Sequence, residues 1–484
     1  MTQIKAGGLE QSHFFNDVCV LGSGVTGQAV VRYLLGHREL FGRLTVYGNA
    51  TSHDAALFLC ELPSDVVVLP DAQEVTGAYD LCVVSPGIPP HSALFNTALA
   101  ASRELIGEPE LAWRLSPERW IAVTGTNGKT TTTALITHIL NSCGIAARAV
   151  GNIGRPCIEA IAERGAGEWL VAELSSYQLY TTRCFAPDAA VLLNITPDHL
   201  SWHGSHAEYV QAKLRLFAHL APDAPGPPLA LLDTSTPEAA ALFAELQQRG
   251  LHPQRISDVR LLLRDCDDPI GDSLRIKGPH NLTNAKAASA VAAWLGLPPR
   301  DVATALASFE PLEHRFQPLG EVAGVAFIND SKATNTDAAL AALRSFDKED
   351  SVIALFGGRD KNTELDELVT ACRGVAKAVI CYGEAGERFF ASFSDNGDLS
   401  CELVPHLSDA FERACARAES GDTVLLAPAC ASFDEFITFE QRGAVFQQMV
   451  REHAAAIDKG VDKTEPSLLS APLSTVAAVP KALR

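Results

Sequence analysis

The stretch IAVTGTNGKTTTTAL, residues 121–135, decides how this chain is read. An apolar run, Ile121-Ala122-Val123, enters a glycine turn, and a helical pattern leaves it. The strict phosphate-loop pattern asks for a glycine, four further residues and then Gly-Lys-Ser/Thr. Here Gly128-Lys129-Thr130 is in place, but the first position falls on Val123. The physical requirement is met without it. Backbone N–H groups over Gly125, Thr126, Asn127 and Gly128 can converge on phosphate oxygens, and the helix behind adds roughly +0.5 charge at its N-terminus. Leu135, Ile136, Ile139 and Leu140 share the apolar face of that helix, and Gly144 marks its stop. Lys129 is expected at the β and γ phosphates of ATP, and Thr130, with Thr131 beside it, at Mg²⁺. A strand–turn–helix with incidental glycines is the competing account, but it explains neither the lysine nor the threonine run.

At about 150 residues per domain, a chain of 484 residues suggests three. With 47% hydrophobic and 20% charged residues it has the composition of a globular α/β protein. No apolar run approaches the roughly 20 residues that span a bilayer. The start, MTQIKAGGLEQSHFF, lacks the apolar stretch of a secretion signal. The 12 cysteines form no CxxC pair, which points to reduced thiols and a cytoplasmic protein. A formal net charge of −19 argues against a nucleic-acid surface, so an anionic ligand must be met by local Lys and Arg.

Strand-like runs at 18–21, 44–47, 66–69 and 81–84 alternate with helical patterns and predict a doubly wound domain over residues 1–108. A second α/β block covers 109–309, with strands expected at 121–123, 169–172 and 190–194. A third covers 310–455, with strands expected at 325–328, 351–356, 378–382 and 423–426. Residues 456–484 are small and Pro-rich and read as a disordered tail.

Within these blocks several residues stand where chemistry is done. Gly22-x-Gly24-x-x-Gly27 has the context of a dinucleotide fingerprint, but Gly48-Asn49 stands where the ribose-binding acid belongs. A tight turn approached by another anionic ligand and a purely structural turn both remain open. Glu173 ends an apolar strand in the phosphate-loop block, where an acid can hold Mg²⁺. Asp198-His199 follows another strand, with a structural and a functional reading for the histidine. Lys213 falls on the apolar face of a helix predicted over 206–220. It is either a snorkelling stem or a partly buried amine whose neutral form desolvation favours. In the third block, 313–316, 329–335, 357–361 and 428–434 bring cations and hydroxyls to strand ends, which suits a substrate bearing carboxylates or phosphates.

Taken together, TGTNGKT, ELSSYQL, NITPDHL, HNLTNA, HRF, NDSKATN, GGRDK and PACASFDEFITFEQRG, in this order over roughly residues 18–448, closely resemble the Mur ligases. Sister ligases for other amino acids carry Asp-Tyr-x-His-x-Pro or a near variant at Asp330–Thr334, so the resemblance is to the D-glutamate-adding branch. It implies an α/β protein of three domains. These are a Rossmann-like N-terminal domain for the UDP-substrate (1–108), a central P-loop ATPase domain (109–309) and a Rossmann-like C-terminal domain for the amino acid (310–455). The implied reaction is ATP-dependent ligation of D-glutamate to UDP-N-acetylmuramoyl-L-alanine through an acyl phosphate, in peptidoglycan precursor synthesis. A monomer is expected.

The resemblance also implies roles. Lys129 and Thr130 serve the ATP phosphates and the first Mg²⁺, and Glu173 and His199 serve the two magnesium sites. Asn152 lies near the phosphoryl centre. Asn281, Asn284, Arg315 and Asp330 serve the nucleotide. Lys332, Thr334, Lys361, Ser432 and Phe439 serve D-glutamate, while Val25, Thr26 and Gly87 line the uridine-diphosphate site. Lys213 matches the lysine that these ligases carry as a carbamate. Gly48-Asn49 departs from the acid that many members of the branch place there. A sister ligase or a folylpolyglutamate synthase-like enzyme is opposed by the PACAS and NDSKATN stretches. A catalytically silent nucleotide-binding partner would have lost Lys129, Glu173, His199 or Lys213, and all four are present.

Overall fold

The computed structural model describes residues 14–49, 53–221, 226–259, 274–276, 278–346, 350–360, 363–394 and 399–458. Lys361 and residues 459–484 of the expected tail lie outside the described residues, while Ala456–Asp458, expected to begin that tail, close a helix instead. The chain forms two compact units, Met1–Glu310 and Pro311–Arg484. The first holds two sheets. Strands β1 (Phe15–Leu21), β2 (Phe41–Gly48), β3 (Val67–Pro70), β4 (Tyr79–Val84) and β5 (Ser102–Gly107) are all parallel, in the order β3-β2-β1-β4-β5. That order reverses between β1 and β4, which sets the glycine turn after β1 beside Ser85–Gly87 after β4. Ligands bind in the crevice at such a switch point.

The second sheet uses β6 (Trp120–Thr124), β7 (Ala147–Gly151), β8 (Trp169–Glu173), β9 (Ala189–Leu192), β10 (Leu229–Leu232) and β11 (Gln254–Arg255). Its order is β11-β10-β9-β6-β8-β7, again parallel throughout. All five residues of β6 are buried, as a strand covered by helices on both faces requires. The helix Glu108–Leu115 joins the two sheets through two buried acids. Glu110 accepts backbone N–H groups from Arg183, Cys184 and Phe185 and pairs with Arg114 at 2.7 Å. Glu108 accepts the Ile158 N–H at 2.5 Å through one oxygen, while its other oxygen is buried without a partner. Burial pushes the Glu108 carboxyl up to about 7, against the lowering pull of that N–H.

The second unit is built on β12 (Gln317–Val322), β13 (Val325–Asn329), β14 (Val352–Gly357), β15 (Ala376–Tyr382), β16 (Cys401–Leu403) and β17 (Thr423–Ala429). The order is β12-β13-β17-β14-β15-β16, parallel except for the β12–β13 hairpin. A last helix, Phe439–Asp458, runs to the end of the described residues. Among the described residues no helix is long and apolar enough to cross a membrane.

Candidate active site

Behind β6 the chain turns at Gly125 (φ +152°) and again at Gly128 (φ +84°), where the helix Lys129–Ser142 begins. Both turns need glycine. A Cβ on Gly128 would stand 2.4 Å from Asn284 Oδ1, and one on Gly125 would stand 3.0 Å from the Leu193 side chain. Two N–H groups of the loop are engaged within the protein. Thr126 N–H donates to Asn194 O at 3.0 Å and Asn127 N–H to Asn194 Oδ1 at 2.8 Å, so Asn194 braces the loop from β9. The Thr126 hydroxyl is likewise engaged, by Tyr209 Oη at 2.7 Å and Thr196 O at 3.1 Å. The helix behind the loop turns its N-terminus toward the same place, the end of a helix that favours an anion. Asn281 and Asn284 are buried behind the loop, where Asn284 Oδ1 accepts from Thr132 Oγ1 at 3.2 Å.

Glu173 closes β8 beside this loop and is 1% exposed. Its Oε1 takes the Asn152 amide N–H at 2.8 Å, while its Oε2 is buried with no hydrogen-bond partner. A buried carboxylate oxygen without a donor is costly, and a cation would satisfy it. Among the described residues no three or more His, Cys, Asp or Glu side chains converge as a metal cage. Mg²⁺ does not need one, since it is commonly held by one or two carboxylates with phosphate oxygens and water completing the octahedron. Glu173 with the half-buried Thr130 therefore fits Mg²⁺. His199 is the exposed N-cap of a short helix, in the left-handed region at φ +55°, with Nδ1 2.8 Å from the Tyr177 hydroxyl.

Lys213 resolves into the second of its two readings. It is 1% exposed, at the end of the helix His206–Leu214, and its Nζ donates to Gly125 O at 2.7 Å. The ammonium also lies 4.6 Å from the centre of the Tyr209 ring. Burial first, and the Lys129 charge second, hold its pKa well below the ordinary lysine value. Lys129 Nζ donates to the carbonyls of Gly125 and Thr126 at 2.9 and 2.7 Å.

The glycine turn after β1 is shaped by close approach. Gly22 sits at φ +102°, and a Cβ there would lie 2.5 Å from Ser85 Oγ; on Gly27 one would lie 1.9 Å from Gly22 O. Val25, 70% exposed, and half-buried Thr26 open the helix Val25–Gly36, and Gly87 lies on the loop after β4. Asn49 N–H donates to Ser23 Oγ at 3.1 Å, and that hydroxyl donates back to Asn49 O at 2.7 Å, so the residues in the acid's place lock onto the turn.

In the second unit the loops after β13, β14 and β17 share one edge. Lys332 Nζ stands 3.8 Å above the Phe439 ring, a cation–π contact. Thr334 is half-buried nearby and Ser432 is 2% exposed. Arg359 N–H donates to Ala431 O at 2.8 Å, and a Cβ on Gly358 would lie 2.3 Å from that oxygen. Arg442, fully buried, donates to Ser331 Oγ at 3.0 Å and to the carbonyls of Ser331, Ala431 and Cys430 at 2.9, 3.3 and 3.1 Å. One guanidinium thereby ties the loop of Lys332 to the loop of Ser432. Asp330 accepts the Phe316 N–H at 3.1 Å, and burial raises its carboxyl to about 6 despite that bond and the neighbouring Arg315.

Comparison with known proteins shows the family. The Mur ligase middle domain matches residues 123–292, and the Mur ligase glutamate ligase domain matches 314–430. The UDP-N-acetylmuramoylalanine–D-glutamate ligase of Frankia casuarinae is 37% identical over 90% of this chain and 93% of its own. The protein of the same name from Alkaliphilus metalliredigens is 35% identical over 90% and 97%. The chain belongs to the Mur ligase family. At the level of fold alone, this Mur ligase is similar to the UDP-N-acetylmuramate–alanine ligase of Thermotoga maritima (TM-score 0.55, 19% identity, covering 90% of this chain and all of that one). It is likewise similar to the MurF ligase of that organism solved with ADP (TM-score 0.53, 19% identity, covering 79% and 97%).

Several structural partners escaped the sequence reading. Asn194, Tyr209 and Arg442 lie in or near quoted stretches, but their hydrogen bonds span 67 to 111 residues and leave no periodic signal. Tyr177 and His203 were passed over for the same reason.

Proposed function

We propose that this Mur ligase joins D-glutamate to UDP-N-acetylmuramoyl-L-alanine while converting ATP to ADP and phosphate. The observation that carries the reading is likeness over nine-tenths of the chain to ligases with that reaction in their name. The N-terminal sheet takes the UDP-sugar at its switch point, with Val25, Thr26 and Gly87 lining the site. The central sheet takes ATP at Gly125–Thr131, backed by Asn281 and Asn284. Within the second unit, the family pattern gives Arg315 and Asp330 a nucleotide role, and Lys332, Thr334, Lys361, Ser432 and Phe439 a D-glutamate role.

A carboxylate is a poor electrophile, so activation must come first. One oxygen of the L-alanyl carboxylate attacks the γ-phosphorus, the bond to the β–γ bridging oxygen breaks, and ADP leaves. The D-glutamate amine then attacks the acyl carbon, and the tetrahedral intermediate loses a proton and expels phosphate to leave the amide. Lys129 neutralises charge that develops on the phosphoryl oxygens. Mg²⁺, when bound, supplies Lewis-acid stabilisation of the same oxygens. Thr130, Glu173 and His199 would hold it, with Asn152 orienting the Glu173 carboxylate. Lys213, once carbamylated, adds an anionic oxygen donor. An assay of phosphate release with ATP and UDP-N-acetylmuramoyl-L-alanine, adding amino acids singly, tests the reading. D-Glutamate is expected to drive turnover; equal turnover with L-lysine or meso-diaminopimelate would refute it.

A further inference from the structure

Two segments of the first unit meet beside the phosphate loop through two contacts, and three of the four residues that make them, Ser176, Tyr177 and His203, have no role assigned above. The segment after β8 carries Glu173 and continues into a short helix, Ser176–Tyr180. Ser175 starts that helix with a capping box, its Oγ accepting from Gln178 N–H while Gln178 Oε1 accepts from Ser175 N–H. The segment after β9 carries His199 and His203. Tyr177 Oη lies 2.8 Å from His199 Nδ1, and Ser176 Oγ lies 2.9 Å from His203 Nε2. The Tyr177 ring is stacked on Trp202 at 4.3 Å and 25°, which fixes where its hydroxyl can reach. His203 is 2% exposed, and burial, then the His199 and Lys213 charges, lower its pKa to about 4, so it stays neutral in this clamp.

From this geometry we propose that Tyr177 is a positioning residue for His199: its hydroxyl oxygen accepts Nδ1–H and so presents the Nε2 lone pair to a divalent cation. A histidine that binds metal through one ring nitrogen usually gives the other N–H to a fixed acceptor, which sets both tautomer and ring orientation. Here the acceptor rides on the segment that follows Glu173, so the clamp also bears on the spacing between the two proposed cation-holding side chains. His199 caps an exposed four-residue helix from the left-handed region, and its Nε2 lies 3.5 Å from Asp198 Oδ2, so its ring is contacted at both nitrogens. The ring stack is independent of the hydroxyl. Tyr177→Phe therefore removes the acceptor and leaves the packing.

The inference rests on His199 facing the cation, and the experiment separates the two claims. Mn²⁺ is titrated into the full chain with ADP present, followed by the EPR signal of free Mn²⁺, for the wild type, Tyr177→Phe and His199→Ala. In parallel, ¹⁵N-histidine spectra report the His199 tautomer, assigned by its loss in His199→Ala. Tyr177→Phe is expected to weaken Mn²⁺ about 10- to 100-fold and to shift His199 away from the Nδ1–H form, with no further loss in the double variant. Loss of affinity in His199→Ala with Tyr177→Phe unchanged would overturn the role of Tyr177 alone. Unchanged affinity in His199→Ala would overturn the cation role of His199, and the inference with it.

Discussion

The ammonium groups of Lys129 and Lys213 meet at one oxygen, the carbonyl of Gly125, at 2.9 and 2.7 Å. Like charges held at one oxygen repel, and more strongly where solvent is excluded. Lys129 is half-buried and keeps a second carbonyl, that of Thr126, whereas Lys213 is sealed from solvent. Burial first and the Lys129 charge second hold the Lys213 pKa well below the ordinary lysine value, a shift toward the neutral amine. Only the neutral amine attacks CO₂. The product, an anionic carbamate, turns repulsion of Lys129 into attraction.

Lys213 is therefore expected to be carbamylated in the active enzyme. With ¹³C-bicarbonate, the wild type should show a carbamate carbon resonance that Lys213→Ala lacks. Lys213→Ala should lose activity and regain part of it with acetate. Rescue by small amines but not by carboxylates would show that an ammonium, not a carbamate, works at this position.

Neighbouring positions of the phosphate loop should fail in different ways. Lys129→Ala removes charge from the phosphates but no packing, so kcat should fall more than about tenfold, at least ~1.4 kcal/mol of barrier, with Tm unchanged. Gly128→Ala puts a Cβ 2.4 Å from Asn284 Oδ1 at a φ of +84°. It should lose ATP binding and lower Tm as well, read by calorimetry on the same samples.

The contrast shows what was legible in advance. The phosphate loop could be read although the strict motif failed, because strand, glycine turn and helix each leave a local signal. The strands β1, β4, β6 and β14, each with an apolar run of at least three residues, are legible for the same reason. Strand β5, SRELIG, was missed because only its last three residues are buried, and β12, QPLGEV, because its proline, glycine and exposed alternation look like a loop. Lys213 was placed on an apolar face by period alone, and it is buried. The bonds from Asn194 to the phosphate loop were not legible, since nothing local links residues 67 apart.

Arg442 is the corresponding long-range brace of the second unit. Arg442→Gln strips donors from three carbonyls and a hydroxyl. It should destabilise the protein by about 2–4 kcal/mol and raise the KM for D-glutamate more than that for ATP. Arg442→Lys should recover only part of the stability, because a point charge cannot reproduce the planar fork. Denaturant unfolding alongside steady-state kinetics checks both.

Glu108 gives a pH signature. Its folded-state pKa of about 7 lies above the ordinary value of 4.5, so the unfolded chain releases the proton first as pH rises. Stability from this group is complete below about pH 4.5 and is lost between there and pH 7, about 3 kcal/mol in all. Glu108→Gln should flatten that decline in a pH series of unfolding measurements. An unchanged slope would remove Glu108 as its source.

The central claim is that the substrate carboxylate, and not another group, receives the γ-phosphoryl. UDP-N-acetylmuramoyl-L-alanine carrying ¹⁸O in both oxygens of its alanyl carboxylate, turned over with ATP and D-glutamate, tests it most directly. Mass spectrometry should find one ¹⁸O in the released phosphate and one in the amide carbonyl of the product. Phosphate free of ¹⁸O, with turnover intact, would contradict the acyl-phosphate account.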